Sequence, residues 1–282
     1  MENITIIIKT FNRKYALWRL LDSIEYYYPS LPIVIVDDSK KNYMKETKKR
    51  FAALNIRYIV TSFDIGLSKG RNILIENVNT KYFLLCDDDL EFDERTKIGT
   101  AINILENNKA AVVGGTMYNR FKIDTLFAFL WALKKPSRFI DVFKKTEQVS
   151  VYNGIFEIEN KDVILRTEHN SANYSHDNVY KTDITHNFFI ADTSKIKTIR
   201  GWQPEEVKVG EHQAFFLRLK REGLTVFYTP NLGVKHYPKK TINYNRYRMR
   251  SYLMIGKSFE WQGLNSYKMI DENGEETILY KR

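Results

Sequence analysis

Short apolar runs alternate with amphipathic stretches along the first 115 residues of the chain. Runs rich in β-branched and aromatic residues, bounded by polar or glycine positions, are typical of buried strands. Five such runs occupy residues 5–9, 32–36, 56–61, 82–86 and 110–113. The stretches between them predict four helices, over residues 13–28, 45–54, 69–77 and 96–107. This alternation predicts an α/β fold in which helices cover both faces of a mostly parallel, Rossmann-like sheet.

Single residues mark the expected ends of several elements. Asn12 is expected to cap the first helix, because its side chain can accept a hydrogen bond from a first-turn N–H group. Pro29 is expected to end that helix. Gly114 and Gly115 are expected to stop the fifth strand.

Beyond residue 116 the regular alternation ends. Residues 127–143 are aromatic and basic and predict a partly helical segment. Its apolar part, 126–133, is interpreted as a buried helix or partner contact, with a membrane-surface helix as the alternative. Further along, the pattern predicts a hairpin (149–157 and 163–166), a polar loop (168–183), an apolar run (188–191), a helix (211–222) and a strand (225–228) followed by a loop to His236.

Composition and charge limit the class of protein. With 43% hydrophobic and 28% charged residues, the chain has the composition of a folded globular protein. Its net charge of +10 favours anionic partners, without saying which. The single cysteine, Cys86, allows no intrachain disulfide, so a reducing compartment is expected. Neither a signal peptide nor a membrane-spanning run is apparent, which favours a cytoplasmic location.

Two acidic clusters follow predicted strands. Asp37 and Asp38 come after the second strand, and Asp87, Asp88 and Asp89 come after the fourth. Because parallel sheets bind ligands beyond the carboxyl ends of their strands, both clusters should lie near each other along one sheet edge. Three carboxylates at one point favour a bound cation, and Mg²⁺ or Mn²⁺ would bridge them to phosphates. The alternative is a solvated turn or helix cap.

Other candidate groups are weaker when taken singly. Gly66 to Asn72 opens a helix and carries Lys69 and Arg71, which suits an anionic ligand. Glu211 at a helix start could be a general base or only a favourable N-terminal charge. A lone histidine such as His236 is more often structural than a ligand.

Taken in order, these motifs resemble those of GT-A glycosyltransferases of the family 2 type, and in particular the β-1,4-N-acetylgalactosaminyltransferases that build ganglioside-type glycans. The likeness covers residues 4 to 238. It rests on Lys9-Thr10-Phe11-Asn12-Arg13, Val36-Asp37-Asp38-Ser39, Gly70-Arg71-Asn72, Thr80-Lys81-Tyr82 with Asp87-Asp88-Asp89, Val113-Gly114-Gly115, Asn187-Phe188-Phe189, and Lys208-Val209-Gly210-Glu211-His212 with Phe215-Phe216-Leu217-Arg218.

The resemblance implies a role for each matching residue. The uridine would be held by Thr10, Phe11, Asp37 and Asp38, with Lys69 and Arg71 near the base or the phosphates. Asp87 and Asp89 would form an Asp-x-Asp motif on Mn²⁺ or Mg²⁺, with Asp88 among the donor-binding residues and His236 as a second metal ligand. Glu211 would be the base. In many inverting members the base is the second acid of a pair, and His212 stands at that position here, so His212 is the second candidate.

The resemblance also implies an organisation and an activity. Residues 1–115 would bind the nucleotide sugar, 116–240 would bind the acceptor and complete catalysis, and 241–282 would be a C-terminal extension. Aromatic residues of the acceptor half could stack on sugars, namely Trp131, Tyr152, Tyr174 and Tyr180. The expected activity is inverting transfer of a sugar, with GalNAc favoured, from a UDP-sugar to a glycan or glycolipid hydroxyl. A role in bacterial capsule or lipopolysaccharide synthesis, with possible peripheral contact with the inner face of the membrane, would fit it.

Three other classes remain open on the sequence alone. The first is single-stranded nucleic-acid binding, suggested by the net charge and by a tail rich in Tyr and Arg: Tyr244, Arg246, Tyr247, Arg248 and Arg250. The favoured interpretation involves no nucleic acid, because this class leaves the acidic triplet unexplained. The second is another sugar-nucleotide enzyme, such as a nucleotidyltransferase. The third is an inactive relative that only binds.

Overall fold

The computed structural model describes residues 3–120, 147–169, 174–175, 178–208, 210–238 and 251–282. Its first half alternates strands and helices as the sequence pattern predicts. The elements are β1 (Ile4–Thr10), α1 (Lys14–Tyr27), β2 (Ile33–Asp37), α2 (Met44–Arg50), β3 (Ile56–Val60), α3 (Leu67–Glu76), β4 (Tyr82–Asp87), β5 (Leu90–Glu91), α4 (Ile98–Asn107) and β6 (Val112–Arg120).

The second half contains eight strands and three helices within the described ranges. They are β7 (Glu147–Ser150), β8 (Asn153–Glu159), β9 (Asp162–Glu168), β10 (Tyr180–Thr182), β11 (Phe189–Asp192), α5 (Thr193–Thr198), α6 (His212–Arg221), β12 (Val226–His236), α7 (Ser251–Trp261), β13 (Ser266–Ile270) and β14 (Glu276–Lys281). The predicted hairpin is confirmed, because β8 pairs antiparallel with β9. The expected loop over 168–183 contains β10, and the sequence pattern missed α5, α7, β13 and β14. The segment 127–143 lies outside the described residues.

A central sheet organises the molecule, with strand order β10-β12-β6-β11-β4-β1-β2-β3. Strands β4, β1, β2 and β3 run parallel, as expected for strands joined through helices. Strand β11 is inserted antiparallel between β4 and β6, and β6 pairs parallel with β12. A second sheet, β14-β13-β9-β8, joins the C-terminal strands to the hairpin.

The strand register brings the two acidic clusters to one edge of the sheet. Strand β1 lies between β2 and β4, so that Thr10 is opposite Asp37 and Lys9 is opposite Asp87. The predicted common edge is therefore confirmed. A parallel sheet produces this result because its strands all end on the same side.

Two apolar cores cover the faces of the central sheet. Ile6 and Ile8 of β1 face the core that contains α1 and α4, whereas Ile7 faces the core that contains α3 and α6. The second core continues into the smaller sheet through Phe156 and Tyr267, so the C-terminal strands pack against the same apolar interior as helix α6. No helix within the described ranges is long and apolar enough to cross a bilayer.

Three predicted element ends were wrong. Asn12 does not cap α1, because its backbone has a positive φ of 56°, the helix begins at Lys14, and Asn12 Oδ1 accepts from Lys40 N at 3.3 Å. Strand β6 does not end at Gly114 and Gly115 but continues through them. The glycines allow neighbouring residues to pack closely against the strand. A Cβ on Gly115 would lie 2.0 Å from the Leu232 carbonyl oxygen.

The predicted strand end at residue 228 was also wrong. The expected loop after residue 228 is instead the continuation of β12, which runs to His236 with an irregularity between Tyr228 and Gly233. Because β12 stays paired with β6, His236 has a fixed position opposite Asn119.

Candidate active site

The acidic triplet at the end of β4 presents its three carboxylates to different surroundings. The side chains of Asp87, Asp88 and Asp89 are 32%, 0% and 8% exposed, respectively. Asp88 is enclosed, and its Oδ2 accepts from Thr10 Oγ1 at 2.7 Å. Burial raises the pKa of Asp88 to about 6, against the lowering effect of Arg13. Asp87 and Asp89, which alternate along the chain, therefore keep exposed surface, whereas Asp88 does not. The ligand roles of all three stay predictions.

Arg13, just before α1, pairs with two members of the triplet. One guanidinium nitrogen contacts Asp88, and Nη1 donates to Asp89 Oδ2 at 2.7 Å. Burial alone would raise the pKa of Asp89, but Arg13 and His236 hold it below its ordinary value. Arg13 is part of the stretch Lys9-Thr10-Phe11-Asn12-Arg13 on which the resemblance rests, but the sequence alone assigned it no role.

His236 lies beside Asp89, as the resemblance implied. The atoms His236 Nε2 and Asp89 Oδ2 are 3.5 Å apart. On the other side of the ring, Nδ1 donates to Asn119 Oδ1 at 2.7 Å, which leaves Nε2 facing the carboxylate. A metal-binding histidine is commonly oriented in this way through its second nitrogen. Asn119 is a residue that no sequence signal identified.

This donor set fits a hard divalent ion that also takes ligands from a substrate. Adjacent ligands of an octahedral ion lie about 3 Å apart, close to the separation between Nε2 and Oδ2. In the described part of the chain, no three carboxylate, thiolate or imidazole groups converge closely enough to hold an ion alone. Asp89 and His236 would supply protein ligands, Asp87 would lie nearby, and the remaining positions suit phosphate oxygens and water.

Arg71, on α3, links the triplet to Glu211. Its Nη1 donates to Glu211 Oε1 at 2.5 Å, and its Nη2 lies 3.3 Å from Asp87 Oδ1. The guanidinium carbon lies 5.4 Å from the centre of the Trp202 ring. Both Arg71 and Glu211 are buried. A charged pair removed from water in this way is held in one geometry, since breaking it would leave an uncompensated buried charge.

Asp37 and Asp38 are buried, and their carboxylates bond within the protein. Asp37 accepts from the backbone N–H of Ser39 at 2.9 Å and from Tyr58 Oη at 2.7 Å. Asp38 pairs with Lys9, and burial raises the pKa of Asp38 while it lowers that of Lys9. The predicted uridine contacts of these two carboxylates stay predictions. In this structure the carboxylates shape the loop at the end of β2.

Aromatic and basic side chains surround this loop. The rings of Phe11 and Phe63 lie 5.6 Å apart, and Phe63 is 46% exposed. Lys69, in the first turn of α3, is exposed. Phe63 is therefore a candidate base-stacking residue that the sequence analysis missed, because one aromatic in a loop carries no periodic signal.

His212, the second candidate base, lies at the start of α6 and has a different environment from Glu211. Its Nδ1 bonds Asn187 Oδ1 at 2.6 Å, and its ring packs 5.7 Å from that of Tyr152. Burial, with a further contribution from the nearby Arg71 charge, lowers the pKa of His212 to about 3. His186, next to the same tyrosine, has its pKa lowered by burial to about 4. Both imidazoles are neutral near pH 7.

The three predicted sugar-stacking aromatics that the structure describes are packed against other rings. Tyr152 is stacked with His169 at a ring separation of 5.2 Å. Tyr174 and Tyr180 pack edge-on against each other at 4.7 Å. Trp131 lies outside the described residues, as do the tail residues 244–250. The sugar contacts assigned to these four aromatics therefore remain predictions.

The domain model of glycosyl transferase family 2 matches residues 5–166 of this chain. Mouse β-1,4 N-acetylgalactosaminyltransferase 2 is 39% identical over 114 residues, which are 40% of this chain and 21% of that protein. Human β-1,4 N-acetylgalactosaminyltransferase 1 is 30% identical over 214 residues, which are 76% of this chain and 35% of that protein. The chain thus spans about a third or less of the length of these relatives.

A solved structure of similar fold is that of GalNAc-T7 with UDP, GalNAc and Mn²⁺. It superposes with a TM-score of 0.61 and 11% sequence identity, over 90% of this chain and 47% of that one. The predicted GT-A fold is confirmed.

Proposed function

Because the chain belongs to glycosyltransferase family 2, we propose that it is a metal-dependent, inverting glycosyltransferase that takes its sugar from a UDP-sugar donor. The names of the matching relatives describe β-1,4 N-acetylgalactosaminyl transfer, which supports GalNAc as the favoured sugar. A glycan or glycolipid hydroxyl is the proposed acceptor. The complex of GalNAc-T7 with UDP, GalNAc and Mn²⁺ supports both the proposed donor class and the metal.

One observation carries this proposal, namely the double contact of Arg71. Its guanidinium reaches Asp87 of the triplet and Glu211 at the start of α6. A group suited to binding a metal diphosphate and a group suited to deprotonating an acceptor are therefore separated by a single side chain. Displacement at an anomeric carbon needs two such groups within reach of one substrate, because the attacking oxygen and the leaving diphosphate must lie on opposite sides of one atom.

On the donor side, Asp89 and His236 would hold the metal, with Asp87 beside them. A bound divalent ion would neutralise the charge that develops on the departing diphosphate. Arg71 is buried and already paired, so its positive charge can also stabilise the departing diphosphate without a change in its position. Phe11, Thr10 and the loop after β2 would bind the uridine.

On the acceptor side, Glu211 is the base that we favour. Its carboxylate would take the proton of the attacking hydroxyl as the new bond forms, and a single displacement would invert the anomeric carbon. His212 remains the second candidate. Its low pKa supports Glu211, because an imidazole whose protonated form is disfavoured by burial is a poor proton acceptor near pH 7.

The broader expectations from sequence remain part of the proposal. Residues 1–115 would bind the donor and 116–240 the acceptor, while the extension 241–282 would support the acceptor half. The packing of α7 and β13 into the second core supports that last assignment. The proposed role in bacterial capsule or lipopolysaccharide assembly, and peripheral contact with a membrane, rest on the sequence expectations alone.

Release of the nucleotide from a panel of donors tests the proposed activity. The protein is incubated with UDP-GalNAc, UDP-GlcNAc, UDP-galactose, UDP-glucose or UDP-glucuronic acid, in Mn²⁺ or in EDTA, and UDP and UMP are quantified. We expect UDP from UDP-GalNAc in Mn²⁺ and none in EDTA. Release of UMP would instead indicate a nucleotidyltransferase-type reaction, and binding of UDP without turnover of any donor would indicate an inactive relative.

A further inference from the structure

Arg13 occupies a position that the sugar-transfer chemistry alone does not explain. Its guanidinium contacts Asp88 and Asp89 together, at the centre of the proposed metal site. Backbone hydrogen bonds fix the chain at Arg13 and at the residue before it. The N–H of Asn12 donates to Ser39 Oγ at 2.7 Å, and the Arg13 carbonyl accepts from Leu17 N at 3.1 Å in the first turn of α1. The backbone therefore aims this side chain at the triplet.

Arg13 uses the oxygen that the metal would need. Asp89 Oδ2 accepts from Arg13 Nη1 at 2.7 Å, and the same Oδ2 is the atom 3.5 Å from His236 Nε2. An ion held between Asp89 and His236 would bind Oδ2 directly. The guanidinium and the ion would then lie next to each other, and like charges repel strongly at a site removed from water.

The contact of Arg13 with Asp88, unlike that with Asp89, does not involve an oxygen atom of the proposed metal site. Asp88 is enclosed between Arg13 and Thr10, and its side chain has no exposed surface. A buried carboxylate without a counter-ion is unfavourable, so Arg13 stabilises the triplet whether or not an ion is bound. The side chain can therefore keep its contact with Asp88 when it gives up the contact with Asp89.

We propose that Arg13 is the resident counter-ion of the acidic triplet and competes with the divalent ion for Asp89 Oδ2. In the donor-free protein Arg13 neutralises Asp88 and Asp89, and it lowers the affinity of the site for the free ion. When the ion binds together with the donor diphosphate, Arg13 releases Oδ2 and stays on Asp88. This inference rests on the metal site of the proposed function and adds a residue that controls when that site is filled.

Titration with Mn²⁺ in the absence of donor tests the competition directly. Dissociation constants are measured by calorimetry, or by the loss of the free-ion signal in electron paramagnetic resonance, for the wild type, R13Q and R19Q. Arg19 is the matched control. It lies on α1, is partly buried, is 3.7 Å from the carboxylate of Glu91 and stacks on the Tyr237 ring, and it makes no described contact with the carboxylates of the triplet. We expect R13Q to bind Mn²⁺ at least tenfold more tightly than the wild type, with R19Q unchanged. Equal or weaker binding by R13Q would overturn the proposal.

A second variant covers the case in which R13Q does not fold. R13K keeps one positive charge but cannot bridge two carboxylates as a planar guanidinium does. We expect R13K to bind Mn²⁺ several-fold more tightly than the wild type, and unchanged affinity would count against the competition. In EDTA, both Arg13 variants should unfold at a lower temperature than the wild type, and Mn²⁺ should raise their unfolding temperature more than it raises that of the wild type.

The same titrations separate this inference from the proposed function. If the wild type and R19Q bind Mn²⁺ in the presence of UDP and the Arg13 variants bind it identically without donor, the role of Arg13 is wrong and the metal site stands. If the wild type and R19Q bind no Mn²⁺ even with UDP, the metal-dependent mechanism and the competition are both overturned.

Discussion

Asn119 and His236 face each other across the parallel pair β6–β12, and Asn119 Oδ1 accepts a hydrogen bond from His236 Nδ1 at 2.7 Å. This contact fixes the ring so that Nε2 is directed at Asp89 Oδ2. Orientation of a ligand histidine through its second nitrogen typically contributes about 10- to 100-fold to metal affinity. Asn119 is therefore a positioning residue of the proposed metal site, although it would not touch the metal.

Replacing Asn119 by alanine should weaken Mn²⁺ binding by about 10-fold or more, because the His236 ring loses its fixed orientation. Calorimetric titration with Mn²⁺ in the presence of UDP measures the effect. Asn108→Ala is the control, since Asn108 lies at the end of α4 and bonds only the Ile104 carbonyl there among the contacts described for its side chain. If both variants bind Mn²⁺ like the wild type, Asn119 does not orient the ring.

Asp88 and Asp89 should respond differently to neutralisation. Asp89→Asn should abolish UDP release and lower the free energy of unfolding by about 2 kcal/mol or more, because Arg13 and His236 hold the pKa of Asp89 below its ordinary value in the folded protein. Asp88→Asn should lower stability less, since burial raises the pKa of Asp88 and so already disfavours its charged form. Turnover assays and urea unfolding of both variants check this, with Asp162→Asn in the second sheet as the control. Wild-type turnover by Asp89→Asn would overturn the metal assignment.

Glu211→Gln should keep donor binding and lose transfer. The amide can still accept from Arg71 but cannot take a proton, so we expect the turnover number to fall by about 10²- to 10⁴-fold. The dissociation constant for UDP-GalNAc should change little. Single-turnover assays and donor titrations separate the two effects, with His212→Ala measured alongside. If His212→Ala loses transfer while Glu211→Gln retains it, His212 is the base.

Gly115→Ala should destabilise the fold by about 2 kcal/mol or more, because overpacking against a fixed backbone cannot relax. The added Cβ would meet the Leu232 carbonyl oxygen at 2.0 Å, where β6 and β12 pack. Gly256→Ala in α7 is the matched control. Its Cβ would lie 3.4 Å from the Tyr280 ring, and it should leave stability unchanged or raise it by up to about 1 kcal/mol. Equal unfolding free energies for the two variants would contradict this account.

Acidification should destabilise the protein through two partly buried imidazoles. Burial lowers the pKa of His186 to about 4 and that of His212 to about 3, whereas in the unfolded chain both groups have their ordinary value of about 6.5. Below pH 6.5 the unfolded chain therefore binds more protons, so stability is full above that pH and falls on acidification. Between pH 7 and 5 each histidine should cost roughly 1–2 kcal/mol.

Urea unfolding at pH 7 and pH 5 measures this loss. His186→Asn and His212→Asn should each reduce the difference in unfolding free energy between the two pH values, and the double variant should reduce it further. A double variant that loses as much stability as the wild type would show that other groups are responsible for the acid sensitivity.

The strands of the parallel half could be predicted because each one is a short apolar run that ends at a polar residue. The end of such a strand also predicts where its acidic residues lie, since all parallel strands reach the same edge. The antiparallel insertion of β11 could not be predicted in this way, because its short run does not indicate which strands it will pair with. Gly115 illustrates the same limit. A glycine suggested a strand end, whereas close approach of β12 was the actual reason for it.

The sequence by itself determined the α/β pattern, the common edge of the acidic clusters and the order of motifs that indicates the family. Those properties are local or follow from strand direction, so they are encoded in short stretches. Only the tertiary structure decided the partners of those motifs. Arg13, Asn119 and Arg71 act on carboxylates and an imidazole that lie between 16 and 140 positions away along the chain. Contacts of that kind depend on strand order and register, which no local pattern specifies.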